Sequence, residues 1–207
     1  HGHIIEPGWA RRPMWEYDKR EIHASKLRIK EWDYYAIISH AHQIAVTATF
    51  SDLGFAALCA IAYIDYNQKR VAQKEYVKPL LFRSLRFPNH SGDHAISFSH
   101  TSMRLAFSRK QERRRVLFAS PSLEITKGVF GLDVDATLIQ NPELESMNIA
   151  TSWKEKPTAF YLNEKVFALP VLGEVKLGDT LIQLTPDESF GILDWGRGRW
   201  TYNNRWF

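Results

Sequence analysis

The chain has 207 residues, of which 44% are hydrophobic and 24% are charged, a balance typical of a folded domain rather than a disordered chain. Its 27 Lys and Arg residues exceed the 23 Asp and Glu residues by only four, an excess too small to predict nucleic-acid binding. No apolar run reaches the roughly 20 residues that span a bilayer, so no membrane span is expected.

The first 33 residues are predicted to form an irregular arm. Two prolines and a glycine interrupt residues 7–13, so this stretch cannot lie inside a helix. Residues 18–30 carry only a weak helical pattern of apolar side chains, and we expect coil there. The remaining residues, 34–207, are predicted to form one antiparallel β domain.

Short apolar stretches follow Tyr34 every eight to twelve residues or so and are separated by turn-forming residues. This spacing is typical of an all-β sandwich or barrel. The predicted strands occupy residues 34–39, 44–50, 55–66, 71–78, 94–100, 102–109, 113–119, 132–138, 146–151, 158–162, 171–177 and 180–184. A meander of this length leaves no exposed edges if it closes into a barrel, so we predict an antiparallel β-barrel or open sandwich behind the arm.

The lone Cys59 lies within one of these strands and has no partner for an internal disulfide. A single unpaired cysteine is typical of a reducing compartment. We therefore expect a cytoplasmic protein whose thiol is buried and unreactive.

The last eighteen residues, 190–207, concentrate aromatic, acidic and basic side chains that are costly to expose or to bury singly. Asp194 and Arg197 flank two residues that could form a turn, with Gly196 and Gly198 supplying backbone freedom. We expect the carboxylate and the guanidinium to form a buried pair. On this interpretation the segment is a structural lock at the mouth of the barrel.

The same segment also supports a catalytic interpretation. Asp194 would lie beside the rings of Trp195, Trp200 and Tyr202, where it could donate a proton to an apolar substrate. Aromatic faces stabilise positive charge, which suits a reaction that passes through a carbocation. Arg197 and these three aromatic residues are therefore candidate ligand contacts, and Asp194 is a candidate acid.

A second acidic pair, Glu31 and Asp33, places two carboxylates on one face of the chain if that segment is extended. Paired carboxylates can divide acid and base roles between them, so both are candidate catalytic residues. The alternative is a solvated pair or one bound to an arginine, for which Arg11, Arg12 and Arg28 are near in sequence.

Metal and cofactor sites are not predicted. The histidines at positions 40, 42, 90, 94 and 100 have tolerable ligand spacing, but no cysteine accompanies them, and the chain lacks the recognised pattern of three or four ligands that a zinc site needs. The basic run at residues 109–115 has no interleaved aromatic residues, and we expect a solvated hairpin tip rather than a nucleic-acid contact. The chain also lacks the glycine-rich nucleotide motifs and the nucleophile motifs of serine and cysteine hydrolases.

Four stretches together resemble the successive signatures of one family, domain of unknown function 2804. They are Pro-Gly-Trp-Ala-Arg-Arg-Pro at 7–13, Lys-Glu-Trp-Asp-Tyr at 30–34, Phe-Tyr-Leu-Asn-Glu-Lys at 160–165 with Leu-Pro at 169–170, and Ser-Phe-Gly-Ile-Leu-Asp-Trp-Gly-Arg-Gly at 189–198. The resemblance covers essentially the whole chain, and the Asp-Trp-Gly-Arg-Gly motif is its most specific part. The family pattern has proline where this chain has Thr201.

The resemblance implies a lipocalin-like (calycin) fold, similar to the carotenoid hydratase and tocopherol cyclase types, built from two barrel-like halves. On that basis residues 34–207 correspond to the first half of a longer protein, and a missing second half or a second copy is an expected partner. Trp32, Tyr161 and Asn163, which lie in the matching motifs, join the candidate ligand contacts.

Three functions are open at this point. They are binding of an apolar, lipid-like or isoprenoid-like ligand in the barrel, cofactor-independent hydratase or cyclase chemistry, and a structural or interaction module with a filled core.

Overall fold

The computed structural model describes residues 2–79, 85–201 and 203. These residues form two short 3₁₀ turns, Lys19–Glu21 and Lys26–Arg28, and the rest of the regular structure is β-strand. The strands are β1 (Gly8–Ala10), β2 (Ile29–Ser39), β3 (Ile44–Asp52), β4 (Ala56–Asp65), β5 (Arg70–Pro79), β6 (His94–His100), β7 (Met103–Lys110), β8 (Arg113–Thr126), β9 (Val129–Ile139), β10 (Met147–Trp153), β11 (Lys156–Leu177), β12 (Thr180–Leu184) and β13 (Ser189–Arg199).

The strands pair antiparallel in the order β5-β4-β3-β2-β13-β11-β9-β8-β7-β6. The sheet curls until β4 and β5 contact β8 across the interior. The first part of β11 pairs with β13 and β10, whereas its last part pairs with β9 and β12. An irregularity between Val166 and Leu169, where Ala168 has a φ of 56°, separates the two parts. This change of partners within one strand joins the two halves of the sheet.

The predicted all-β, antiparallel fold is confirmed as a curled half-barrel with lipocalin-like architecture. Three local predictions differ from the structure. β2 begins at Ile29, so the arm ends earlier than residue 33. The stretches 158–162 and 171–177 belong to one continuous strand, β11. The terminal cluster is not a turn, because residues 189–199 form β13 in the middle of the sheet.

Most of the interior is packed with apolar side chains that alternate with outward polar ones, as the pleat of a half-buried strand requires. On β9, the fully buried Leu132, Val134, Ala136 and Leu138 give the clearest example. The ring of Phe107 stands edge-on to Tyr35 at 4.8 Å and to Phe50 at 4.7 Å between ring centres. Cys59 is buried, as predicted.

Candidate ligand site at the polar end of the sheet

One end of the curled sheet carries charged residues on its inner face, and we call it the polar end. Cross-strand pairing sets two adjacent rows of inner side chains there, because directly opposite residues share a face. The first row is Asn148, Glu164, Trp195 and Asp33. The second row is Leu162, Arg197, Glu31 and Asp52. The next row inward, Val166, Leu193, Tyr35 and Ala48, is apolar apart from one phenol.

Arg197 is the central cation of the polar end and is fully buried, with 0% of its side chain exposed. Its Nη2 lies 2.8 Å from Oδ1 of Asp33. Its Nη1 donates to the carbonyl of Trp32 at 2.7 Å. No described residue donates a hydrogen bond to either oxygen of Asp33, so the Arg197–Asp33 contact is an ion pair whose N–H bonds point elsewhere.

The Arg197 guanidinium also fixes the loop at residues 85–92. Its Nε and Nη2 approach the carbonyl oxygen of Pro88 at 3.3 and 3.2 Å. Its planar group lies over the ring of Trp195 at 4.3 Å and over that of Phe87 at 4.9 Å. Arg197, near the end of β13, is therefore one of the side chains that attach the loop to the sheet.

Glu31, which is 1% exposed, is satisfied from the arm. The hydroxyl of Tyr17 donates to its Oε1 at 3.0 Å, and Lys19 forms an ion pair with its Oε2. Burial, together with the neighbouring Glu31 carboxylate, raises the pKa of Tyr17 far above its ordinary value. The phenol therefore stays protonated and acts as a donor. The arm thus supplies the groups that make a buried Glu31 tolerable.

His94 also lies close to Asp33, with its Nε2 3.9 Å from Oδ2 of Asp33. Its Nδ1 faces the carbonyl of Gly92 at 2.5 Å, and a carbonyl can only accept, so Nδ1 carries the hydrogen. Burial lowers the pKa of His94, and the nearby Arg114 and Arg197 lower it further, against the opposing effects of Gly92 and Asp33.

Two inner-face arginines, Arg109 and Arg114, lie directly opposite each other on β7 and β8. Both donate to the carbonyl of Ser91, at 3.1 and 2.8 Å. Burial and the neighbouring Arg114 charge lower the pKa of Arg109. Arg114 is fully buried, and no described residue accepts from its Nη2. The basic run at 109–115 is therefore not a plain solvated tip, because two of its members point inward.

The hydroxyl of Ser91 donates to Oε2 of Glu164, a carboxylate that is only 4% exposed. Ser91 thus connects three charged residues: its carbonyl accepts from Arg109 and Arg114, and its hydroxyl donates to Glu164. Glu164 accepts no further hydrogen bond from the described part of the chain.

Two adjoining cavities lie between the arm and the polar end. The first, of about 240 Å³, is lined by Glu164, Asn148 and Trp195 on the sheet side and by residues 89–92 of the loop. The second, of about 550 Å³, lies between residues 2–6, residues 14–22 and β11. Met14, Trp15 and Leu162 line both. Both cavities combine apolar side chains with polar ones. Seven of the thirteen residues around the first cavity are polar, including Arg109 and Glu164, and the second also has the carboxylates of Glu6, Glu16, Asp18 and Glu21.

Asp194 lies on the opposite, outer face of β13, not beside Arg197. Successive side chains of a strand alternate between faces, so residues 194 and 197 point in opposite directions. The oxygens of Asp194 accept from Trp32 Nε1 at 3.1 Å and from Asn163 Nδ2 at 2.8 Å, and Asp194 pairs with Lys165. The predicted Asp194–Arg197 pair was therefore wrong. Both side chains are paired, but with other partners.

The predicted aromatic surroundings of Asp194 lie on this outer face. Trp32 stacks on Tyr161 at 5.6 Å and contacts Trp200 at 6.0 Å between ring centres. Gly196 is extended, and a Cβ there would lie 2.1 Å from the indole of Trp32. The glycine therefore allows close approach rather than a turn. Tyr202 lies outside the described residues, as do Trp206 and Phe207.

The structure divides the sequence-predicted residues between two places. Glu31, Asp33, Trp195 and Arg197 meet inside the polar end, and Glu31 and Asp33 share a face because β2 is extended. The arginine beside them is Arg197 rather than a member of the arm. Trp32, Tyr161, Asp194 and Trp200 gather on the outer face, and Asn163 hydrogen-bonds to Asp194 while lining the first cavity.

Sequence reasoning missed Glu164, the buried acid that lines the first cavity. The signal was its position in the alternating pattern. Leu162, Glu164 and Val166 are two residues apart, so they share one face of β11, and all three are buried. The predicted strand ended at Leu162, so Glu164 was not recognised as an inward residue. Arg114 carries the same signal, because it is in phase with the buried Val116 and Phe118.

The histidines are dispersed, and within residues 2–79, 85–201 and 203 no three His, Cys, Asp or Glu side chains are grouped to hold a metal ion. His42 contacts Ser39, and His100 contacts Ser102. In the same ranges no helix has the length and apolar character needed to cross a membrane.

The fold is similar to solved structures of low sequence identity. An AttH-type protein from Nitrosomonas europaea has a TM-score of 0.55 and 13% identity, with 85% of this chain matching 53% of that one. Kievitone hydratase from Nectria haematococca has a TM-score of 0.47 and 12% identity, over 83% of this chain and 48% of that one. The chain thus spans about half the length of these structures.

No curated protein matches the chain. The model of the domain of unknown function family DUF2804 matches residues 1–207, its whole length. The motifs in the arm, β2, β11 and β13 that build the polar end are the stretches in which the resemblance was recognised. The chain therefore belongs to the DUF2804 family.

Proposed function

We propose that this chain binds a small apolar ligand in the cavities between the arm and the polar end of the sheet. The observation that carries the proposal is the 4%-exposed carboxylate of Glu164, which lines a cavity of about 240 Å³ beside Trp195 and Leu162. Ser91 donates to one oxygen of this carboxylate and Arg109 lines the same cavity. A ligand that donates to the other oxygen would reduce the cost of burying the charge further. The proposed site differs from the expected one, since it lies between the arm and the sheet rather than in the middle of the barrel.

The walls of the site suit an apolar molecule. Met14 and Trp15 from the arm lie over it, and the indole of Trp15 is fixed by its Nε1 donating to the carbonyl of Glu6 at 3.0 Å. The arm is in turn held by β1 pairing with β10. Arg11 and Arg12 also bind residues 142–145, and Tyr17 and Lys19 bind Glu31, so the arm forms a fixed wall of the site.

The test is binding of N-phenyl-1-naphthylamine, an uncharged apolar dye that fluoresces when it leaves water. We expect saturable binding by the native chain. Leu162→Trp adds volume to the wall common to both cavities and should weaken binding at least about tenfold, because overfilling a packed site displaces its neighbours. Native mass spectrometry and an organic extract of the purified chain should also reveal a bound apolar compound.

The matched control is Leu181→Trp on β12, where the leucine is 53% exposed and lies outside both cavity linings. It should leave dye binding unchanged. Thermal unfolding of both variants separates lost binding from lost folding, and Trp15→Ala tests the same wall without overfilling it. If both the Leu162 and the Trp15 variant bind the dye as tightly as the wild type, or if the wild-type chain does not bind it, the result would favour a structural module with a filled core.

A second candidate function is acid chemistry on the bound ligand. Glu164, with an indole as its neighbour in the row and one oxygen without a partner, is better placed for it than Asp194, both of whose oxygens are used. In a hydration, the acid donates a proton to an alkene carbon, water adds to the resulting cation, and a proton returns to the carboxylate. Incubation with farnesol should then yield a product heavier by one water, absent with Glu164→Gln. If the chain binds the dye but forms no such product, only the binding function is supported and the catalytic one is rejected.

A further inference from the structure

We propose that the ligand carries an uncharged hydroxyl head that donates its hydrogen to Glu164. This inference rests on the proposed binding function and specifies its ligand class. Glu164 has one oxygen occupied by Ser91 and takes no other donor from the described residues. A carboxylate accepts hydrogen bonds only, so the group that completes it must be a donor.

The balance of charge in the first cavity selects an uncharged donor. Among the described residues, one cationic and one anionic side chain line it, Arg109 and Glu164. One charge against one leaves no formal surplus beside the proposed head group. An ammonium or a carboxylate head would bring an unpaired charge into a largely buried site, which is strongly unfavourable.

A hydroxyl also suits the other charged side chain of the first cavity. Arg109 lines this cavity together with Glu164, and a guanidinium can only donate hydrogen bonds. A hydroxyl donates one hydrogen bond and accepts others, so it can complement the carboxylate without adding a charge beside the guanidinium. A carboxylate head could accept from Arg109, but it would repel Glu164.

The experiment compares 1-decanol, decylamine and decanoic acid as competitors of N-phenyl-1-naphthylamine at neutral pH. They have the same apolar chain, and the heads are uncharged, cationic and anionic. We expect the wild-type chain to bind decanol at least about tenfold more tightly than either charged competitor, since a tenfold ratio needs only about 1.4 kcal/mol. Equal affinities, or preference for a charged head, would overturn the proposal.

Variants that change the charge of the site should shift its head-group preference in opposite directions. Glu164→Gln leaves one excess positive charge and should improve decanoate binding while weakening decanol. Arg109→Gln leaves one excess negative charge and should improve decylamine binding. Glu174→Gln, an exposed position on the same strand, repeats the charge change of the first variant outside the site and should alter none of the three. Unchanged head-group preference in both site variants would contradict the proposal.

The outcomes separate this proposal from the binding function. Dye and all three competitors binding alike would leave the apolar site in place and refute the hydroxyl head. Failure of the dye and every competitor to bind would refute both. Thermal unfolding in the absence of ligand identifies any variant that simply fails to fold.

Discussion

Replacing Arg197 by methionine tests the electrostatic account of the polar end most directly. The substitution preserves much of the side-chain volume and removes the charge. It leaves the 1%-exposed Asp33 without its nearest cation at 2.8 Å, and it leaves the carbonyl of Pro88 without a donor. Breaking a buried pair from one side typically costs about 3–5 kcal/mol, because the remaining charge is uncompensated.

The assay is urea and thermal unfolding of the 207-residue chain, followed by circular dichroism. For a domain of this size 1 kcal/mol shifts the melting temperature by about 2–4 °C. The Arg197→Met variant should therefore melt about 6–20 °C lower than the wild type. Asp33→Asn should also destabilise the chain, because it removes the carboxylate that compensates the guanidinium.

The double variant decides whether the two residues act through each other. Residues in direct contact commonly show coupling energies of about 0.5–3 kcal/mol. If the ion pair is the cause, Arg197→Met in the Asp33→Asn background should cost less than in the wild type by an amount in that range. A loss below about 1 kcal/mol for Arg197→Met, or strict additivity of the two changes, would refute the reasoning.

Three further predictions concern single residues elsewhere in the fold. Asp194→Asn should lower the free energy of unfolding in urea by only about 1 kcal/mol, because the carboxylate is partly exposed and its pair with Lys165 is screened by solvent. A decrease of about 3 kcal/mol would contradict this and indicate an effectively buried pair. The pKa of His94 is lowered below its ordinary 6.5, so its contribution to stability is complete above pH 6.5 and is lost as pH falls through its folded pKa. His94→Gln should flatten the pH dependence of unfolding in that window, and an unaltered profile would contradict this account. Burial raises the pKa of Cys59 to about 12, so a disulfide reagent should modify it slowly in the native chain and rapidly in urea; equal rates would contradict burial.

Hydrophobic alternation predicted most of the fold because it reports directly which strand face is buried. The inner positions of β9 alternate without interruption, and that strand was correctly placed. At other inner positions a charged residue interrupts the apolar pattern, and the buried face could not be recognised there from the sequence. Glu31 and Asp33 continue the inward phase of Tyr35 and Ile37 along β2. Charged residues at inward positions end the apolar pattern early, and this is why β2 was predicted to start five residues too late.

The pairing of the terminal motif could not be inferred from spacing. Asp194 and Arg197 are three residues apart, which suggested a turn because two glycines accompany them. Those glycines serve close packing instead: Gly196 makes room for the indole of Trp32, and Gly198 lies against the carbonyl of Phe160. Once the segment is extended, alternation alone sends the two charges to opposite faces. Only the register with β2 and β11 identifies their partners.

The buried arginines connect the stability of the polar end to the geometry of the proposed site. Apolar residues in their place would often give a more stable core, but the loop at 85–92 turns the carbonyls of Pro88 and Ser91 towards the sheet. Buried carbonyls need donors, and Arg197 and Arg114 supply them at 3.2 and 2.8 Å. Because Ser91 also donates to Glu164, the arginines that hold the loop also determine which oxygen of Glu164 is occupied. The charges of the polar end therefore position the carboxylate to which the proposed ligand binds.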